Sequence, residues 1–199
     1  MLQDIRNFLE RQKGAKTQLE TSLTDLQIQL DDKKRSLVRH EQAREIVREV
    51  GLKTQQQISF HISDITSLAL EAVFPDPYEL KVDFVQRRNK TECDLLFVRD
   101  GNEIDPITAS GVGAIDVAAF ALRIASWSIM ISHTRNTIII DEPFKFLSTN
   151  YQEQASMMIK EISEKLGLQF IVVTHSEILS SCADKVFQVS IKKGVSKIS

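Results

Sequence analysis

Along the first fifty residues, apolar side chains recur in alternating steps of three and four. Leu2, Ile5, Leu9, Gln12, Lys16, Leu19, Leu23, Leu26, Leu30, Lys33, Leu37, His40, Arg44 and Val47 form one seam, and nine of these fourteen are apolar. Charged residues flank it, proline is absent, and Gly14 is the only glycine before Gly51. This spacing predicts a coiled-coil arm over 1–50, roughly 75 Å long at 1.5 Å per residue. Gln12, Lys16 and Lys33 weaken the seam and set its register. The alternative is a single amphipathic helix lying on a globular body. A coiled-coil strand needs a partner, and no other part of the chain has comparable heptads. A second coiled-coil strand is therefore expected from elsewhere.

From about residue 52 the pattern changes. Ile58, Ile62, Ile65, Ala69 and Ala72 share a helical face that stops before the prolines of "FPDPY" (74–78). Two strand-like runs, 79–87 and 92–99, follow around "RNKT", and Asp100-Gly101-Asn102 closes the second with turn chemistry. Helix and strand patterns then alternate: a helix from about Ala114 to Ile131, a strand at 137–142, a helix at about 151–166 and a strand at 169–175. The alternation predicts an α/β body, mostly a parallel sheet with helices, over 51–199. On the helix near 114–131 the expected apolar face is Ile115, Ala118, Ala119, Leu122, Ala125 and Ile129.

Two of these strands end in unusual chemistry. "TIIIDEPF" (137–144) runs from β-branched residues into adjacent carboxylates, and such a strand is expected to be buried on both faces. Asp141 and Glu142 would then emerge at the carboxyl edge of the sheet, where α/β proteins bind ligands. Repulsion makes that pair costly unless a cation offsets it or one carboxylate has work to do. A salt-bridged strand end is the plain alternative. "FIVVTHS" (170–176) ends a second apolar strand at His175, and a βαβ crossover would bring His175 to the same edge. "ASGVG" (109–113) opens the long helix with small residues, which leave backbone N–H groups free for an anion or simply cap the helix. Arg123 in that helix reads as a structural ion pair.

Composition narrows the setting. The 199 residues are 42% hydrophobic and 26% charged, with a net charge of −2. That balance gives no global attraction to nucleic acid, so DNA contact would need a local patch. Lys192, Lys193 and Lys197 in the tail and Arg87, Arg88 and Lys90 in the hairpin are the candidates. Two cysteines, Cys93 and Cys182, are too few for a disulfide framework. No apolar run approaching the length of a bilayer span and no signal peptide is evident, which points to the cytoplasm and to no membrane partner.

A glycine turn before an apolar helix, then four apolar residues with Asp-Glu-Pro, then a strand ending in Thr-His, resembles one known arrangement. It looks like the C-terminal lobe of an ABC-type ATPase head of the structural maintenance of chromosomes (SMC) class, closest to the SbcC-type double-strand-break repair ATPases, including phage versions. The resemblance covers nearly the whole chain: coiled-coil return arm, small β-hairpin at 78–99, signature helix at 110–131, Walker B strand and histidine-switch strand. It implies that Ser110, Gly111 and Gly113 of the signature motif touch the γ-phosphate of ATP on an opposing head. It makes Asp141 the Mg²⁺ ligand, Glu142 the carboxylate that activates water and His175 the switch. It places a D-loop at 144–148. Val112 replaces the second glycine of the usual signature, and Ser148 stands where the D-loop usually ends in Asp.

No GxxxxGK[ST] phosphate loop occurs in the 199 residues. The resemblance therefore implies a half-head, completed by an N-terminal lobe carrying Walker A and paired with a second head in a homodimer. DNA and a nuclease subunit are further implied partners, in repair or recombination. Missing sheet neighbours predict exposed edges and poor solubility in isolation. The main alternative is a non-catalytic coiled-coil interaction module on a degenerate ATPase-like body. A metal-dependent nuclease using Asp141, Glu142 and His175 is a third reading, with a thin ligand set.

Overall fold

The computed structural model describes residues 1–88, 90–130, 135–192 and 195–199. Asn89 of the expected hairpin turn, Ile131 at the expected end of the helix near 114–131 and Lys193 of the expected basic tail lie outside the described residues. The chain divides into two units, Met1–Thr54 and Gln55–Ser199.

One helix, α1 (Leu2–Val73), runs through the first unit and into the second, and Gly51 does not interrupt it. In the first unit nearly every residue is exposed, including seam residues Leu19, Leu23, Leu26 and Leu30. What holds the helix there is local. Thr17, Thr21 and Thr24 each donate to the carbonyl four residues back. Lys16–Glu20 and Lys53–Glu49 pair along the surface. Such exposed pairs contribute only about 0.3–0.5 kcal/mol each.

In the second unit α1 buries Thr66, Ala69, Leu70 and Val73. Ala72, expected on the inner face, is exposed, and Ile58, Ile62 and Ile65 are half-buried. The helix stops at Val73, ahead of Pro75 and Pro77. Strands β1 (Glu79–Arg87) and β2 (Lys90–Arg99) pair antiparallel from Glu79↔Val98 to Arg87↔Lys90. A third strand, β3 (Asn102–Ile104), continues this sheet beyond the Asp100-Gly101 turn; its three residues gave no strand pattern to read. Leu80, Val82 and Phe97 face the core, and Tyr78 stacks on Phe97 at 5.0 Å.

A short helix, α2 (Pro106–Ala109), is capped by the Asp105 carboxylate, which accepts from the Ile107 N–H at 2.8 Å. Helix α3 (Val112–Ile129) follows, two residues short of its expected end. It buries Ala114, Val117, Ala118, Phe120, Ala121, Ile124 and Ala125. Only Ala118 and Ala125 of the expected face are fully buried; Ile129 is exposed. The stripe is turned because α3 is apolar nearly all round and packs on more than one side. Phe120 meets Phe144 and Phe170 at 5.3 and 5.8 Å, and His61 of α1 lies 2.7 Å from the Ser128 hydroxyl. By length and composition alone α3 matches a bilayer span, with mean hydropathy 1.5, a correction to the sequence reading. Here it is the central core helix. Arg123 is exposed and forms no ion pair among the described residues, contrary to expectation.

Strands β4 (Thr137–Asp141) and β5 (Gln169–Val173) pair in parallel from Thr137↔Gln169 to Asp141↔Val173, joined by α4 (Thr149–Leu166). Gly167 ends α4 at φ +61, where the left-handed backbone favours glycine. The expectation of a strand buried on both faces fails here. Ile140 is 3% exposed, but its neighbour Ile139 is 73% exposed, with Ile171 and Val173 also open. Two strands and one covering layer hide only one face. A short helix α5 (Glu177–Ser181) and an exposed antiparallel pair, β6 (Val189–Lys192) and β7 (Val195–Ile198), finish the chain. The α/β class holds, with the strands spread over three small sheets, of which β4–β5 is the parallel one among the described residues.

Candidate functional site

The parallel register brings the two strand ends together. Asp141 pairs with Val173, and the Glu142 N–H continues the ladder to the Val173 carbonyl at 2.8 Å. Immediately after this bond the backbone of Glu142 turns to φ +46. A left-handed conformation costs a non-glycine residue roughly 1–2 kcal/mol. The turn leaves a Glu142 carboxylate oxygen 2.9 Å from His175 Nδ1, with Glu142 33% and His175 77% exposed at the side chain. Asp141 is exposed beside them and forms no ion pair among the described residues. So Glu142 and His175 meet at the sheet edge, with Asp141 exposed just before Glu142 in the strand, and the cost of the adjacent carboxylates is met partly by solvent and partly by the contact with the imidazole.

The chain after Glu142 is anchored from below. Phe144, also left-handed at φ +61, is buried against Phe120. Leu147 is buried, while Phe146 and Ser148 are exposed. The Asp116 carboxylate on α3 accepts from the Phe146 N–H at 2.8 Å. Gly113 lies so close that an added Cβ would sit 3.2 Å from Leu147 Cδ1 and 3.3 Å from the Phe146 carbonyl oxygen. Gly113 is thus occupied by packing against the 144–148 loop. Gly111, at the N-cap of α3, has open space where a Cβ would go. Val112 is exposed in the first turn. The Ser110 hydroxyl donates to the Pro106 carbonyl at 2.5 Å. No hydrogen bond or ion pair among the described residues joins Ser110 or Gly111 to Asp141, Glu142 or His175.

Three residues that sequence reasoning missed tie these pieces together. Gln152 on α4 donates to the Leu147 carbonyl at 3.3 Å and accepts from the Ser176 hydroxyl at 2.8 Å. Ser176, next to His175, also caps α5 by accepting from Leu179. Asp116 had a readable signal, a carboxylate in the first turns of an apolar helix. Ser176 could be read as a helix cap, but its bond to Gln152 had no signal, because the two are 24 positions apart.

No family model matches the chain. Over 111 residues it is 32% identical to the DNA double-strand break repair Rad50 ATPase of Archaeoglobus fulgidus, an alignment covering 56% of this chain and 12% of that protein. The Smc head domain of Pyrococcus yayanosii, with its coiled coil and joint, superposes with a TM-score of 0.62 at 20% identity, covering 86% of this chain and 32% of that one. A chain from structural work on ATP-driven dimerization and DNA-stimulated activation of SMC ATPases gives 0.59 at 21%, covering 76% and 87%. The chain is built like the C-terminal part of an SMC/Rad50-type ATPase.

This SMC/Rad50-like chain spans about an eighth of the length of the curated relative. Among the described residues no group of three metal-ligating side chains gathers anywhere. An all-protein metal cage, as the nuclease reading requires, is therefore not built at this edge. A single exposed carboxylate such as Asp141 suits Mg²⁺, which keeps waters and takes its other ligands from phosphate. In the hairpin, the half-exposed Arg87 pairs with Asp94 at 2.6 Å and with Glu92 at 3.3 Å.

Proposed function

We propose that the chain is the C-terminal lobe of an SMC/SbcC-like ATPase that hydrolyses ATP between two heads to drive DNA repair or recombination. Its domains are the coiled-coil arm at 1–50 and the head lobe at 51–199. Asp141 would hold Mg²⁺, which would supply charge neutralisation for the phosphates. Glu142 accepts a proton from the attacking water, and His175 orients Glu142 and senses the γ-phosphate. Ser110 and Gly111, at the N-terminus of α3, face the nucleotide of the opposing head. Gly113 serves the site indirectly, by letting α3 approach the 144–148 loop. A Walker A lobe, a second head and a second coiled-coil strand complete the assembly, with DNA and a nuclease subunit as partners in the cytoplasm.

The contact between Glu142 and His175, made across parallel strands by a residue at φ +46, carries this reading. A carboxylate residue held at a strained φ and facing an imidazole is costly to keep in a structural role. The test is Glu142→Gln in the head completed by its Walker A lobe. Turnover should fall about 10²–10⁴-fold while Mg-ATP still binds. Unchanged turnover would remove the catalytic assignment.

A non-catalytic coiled-coil module is the second reading. Val112, exposed in the signature turn, favours it, as does the Ser110 hydroxyl bound to Pro106. Under that reading the completed head would bind Mg-ATP weakly and fail to dimerise upon binding it.

A further inference from the structure

The His175 ring is 77% exposed and, among the described residues, has no hydrogen bond or ion pair except the one to Glu142. What locates it is the backbone on either side. Upstream, Val173 ends the parallel ladder, and its carbonyl accepts from the Glu142 N–H at 2.8 Å. Downstream, the Ser176 hydroxyl donates to Gln152 Oε1 on α4 at 2.8 Å. The chain leaving Glu142 is held by the same amide. It runs through buried Phe144 to buried Leu147, whose carbonyl accepts from Gln152 Nε2 at 3.3 Å. The orientation of the amide follows from its partners. A carbonyl can only accept, so the NH₂ group faces Leu147 and Oε1 is left for Ser176. The Ser176 oxygen in turn accepts from the Leu179 N–H at 3.3 Å. The bonds therefore run in one direction, from Leu179 through Ser176 and Gln152 to Leu147, and each polarises the next.

We infer that Gln152 is a positioning residue, which sets His175 against Glu142 by gripping the chain on the far side of each. Its value to turnover rests on the catalytic reading of Glu142 given above. The amide closes a ring made of Glu142, the 143–147 chain, Gln152, Ser176 and His175. Opening that ring leaves His175 located by the strand end alone, and it frees Glu142, at φ +46, to relax. A displacement of about 1 Å at a reacting group can cost about 10²-fold in rate, so a little slack is enough. Docking α5 on α4 would need only the bond to Ser176. The second bond, to Leu147, does nothing for α5 and acts on the loop leaving Glu142. Asp116 holds the neighbouring residue of that loop, Phe146, from α3. The chemistry also requires an amide at position 152. A carboxylate of the same shape could accept from Ser176 but would set an oxygen against the Leu147 carbonyl.

The experiment pairs a spectroscopic readout with a kinetic one. In the full chain with nitrogen-15-labelled histidines, Glu142→Ala defines how the His175 ring signals move when the contact is lost. Gln152→Met, which keeps the length of the side chain without its polar atoms, should move the same signals in the same direction. In the head completed by its Walker A lobe, Gln152→Met should lower kcat about tenfold and leave KM for Mg-ATP within about twofold. Ser176→Ala should do the same, and the double variant should be no slower than the slower single one. Ser176→Thr, which keeps the hydroxyl, should restore most of the lost rate. Urea midpoints report folding; should Gln152→Met fail to fold, Gln152→Glu, which loses only the Leu147 bond, takes its place with the same expectations. Unmoved His175 signals, additive rate losses, or Ser176→Thr as slow as Ser176→Ala would overturn the inference. If Glu142→Gln leaves turnover unchanged, the catalytic reading falls, and the His175 signals alone decide whether Gln152 positions the pair.

Discussion

The Asp116 carboxylate, in the second turn of α3, accepts a hydrogen bond from the backbone N–H of Phe146 at 2.8 Å. That bond holds the loop leaving Glu142 against the start of the helix, where Gly113 admits Leu147. The helix that follows Ser110 and Gly111 is thus fastened to the loop that follows Asp141 and Glu142.

Removing this acceptor leaves the Phe146 N–H without its partner. Asp116→Ala should destabilise the unit Gln55–Ser199 by about 1–3 kcal/mol, and Asp116→Asn, which keeps an acceptor oxygen, by less. Urea unfolding of both variants checks the difference in midpoint.

Gly113 and Gly14 both sit in helices, yet alanine should act oppositely at the two. At Gly113 a Cβ is crowded by Leu147 and the Phe146 carbonyl. Gly113→Ala should cost about 1 kcal/mol or more, since the loop must move by a few tenths of an ångström. At Gly14 nothing lies within 4 Å, and Gly14→Ala should raise helix stability by about 0.5–1 kcal/mol. Circular dichroism melts distinguish the two.

Consecutive isoleucines in β4 should behave differently. Ile140→Ala should cost about 2–4 kcal/mol, because Ile140 is buried. Ile139→Ser should change stability by less than about 0.5 kcal/mol and should improve solubility. Equal effects would show that the outer face of β4–β5 is covered in solution.

Backbone strain at Glu142 predicts a reversal of the usual order. Glycine normally stabilises less than alanine, but at φ +46 Glu142→Gly should be more stable than Glu142→Ala by about 1 kcal/mol. Denaturant midpoints of the pair decide it.

The hairpin should be acid-sensitive through Asp94. The Arg87 guanidinium, hydrogen-bonded to Asp94, holds that carboxyl below the usual range, with desolvation opposing it. A carboxyl whose folded value is depressed contributes stability at pH values above its unfolded value, and that contribution is lost as pH falls through the folded one. Asp94→Asn should therefore flatten the loss of stability on acidification below about pH 4. Unfolding midpoints between neutral and acid pH, with and without the substitution, give the slope.

Much of the element order was legible because local rules decide it. The heptad seam predicted the long helix; two prolines ended it before β1; β-branched runs marked β4 and β5; and a crossover between them required Glu142 and His175 to share an edge. Helix faces were less legible. Ala72 and Ile129 were expected inside and lie outside, because hydrophobicity alone gives no direction to a helix such as α3 that packs on several sides.

By itself the sequence determined which segments are helix and strand and the parallel pairing of β4 with β5, since periodicity, turn chemistry and residue type act over a few neighbours. Only the tertiary structure decided that Ile139 is open while Ile140 is closed, that Gly113 serves Leu147, and that Asp116, Gln152 and Ser176 tie the 144–148 loop to α3 and to the segment after β5. Those facts depend on contacts between residues twenty or more positions apart. A chain acquires such contacts only when its elements pack, and no local pattern records them.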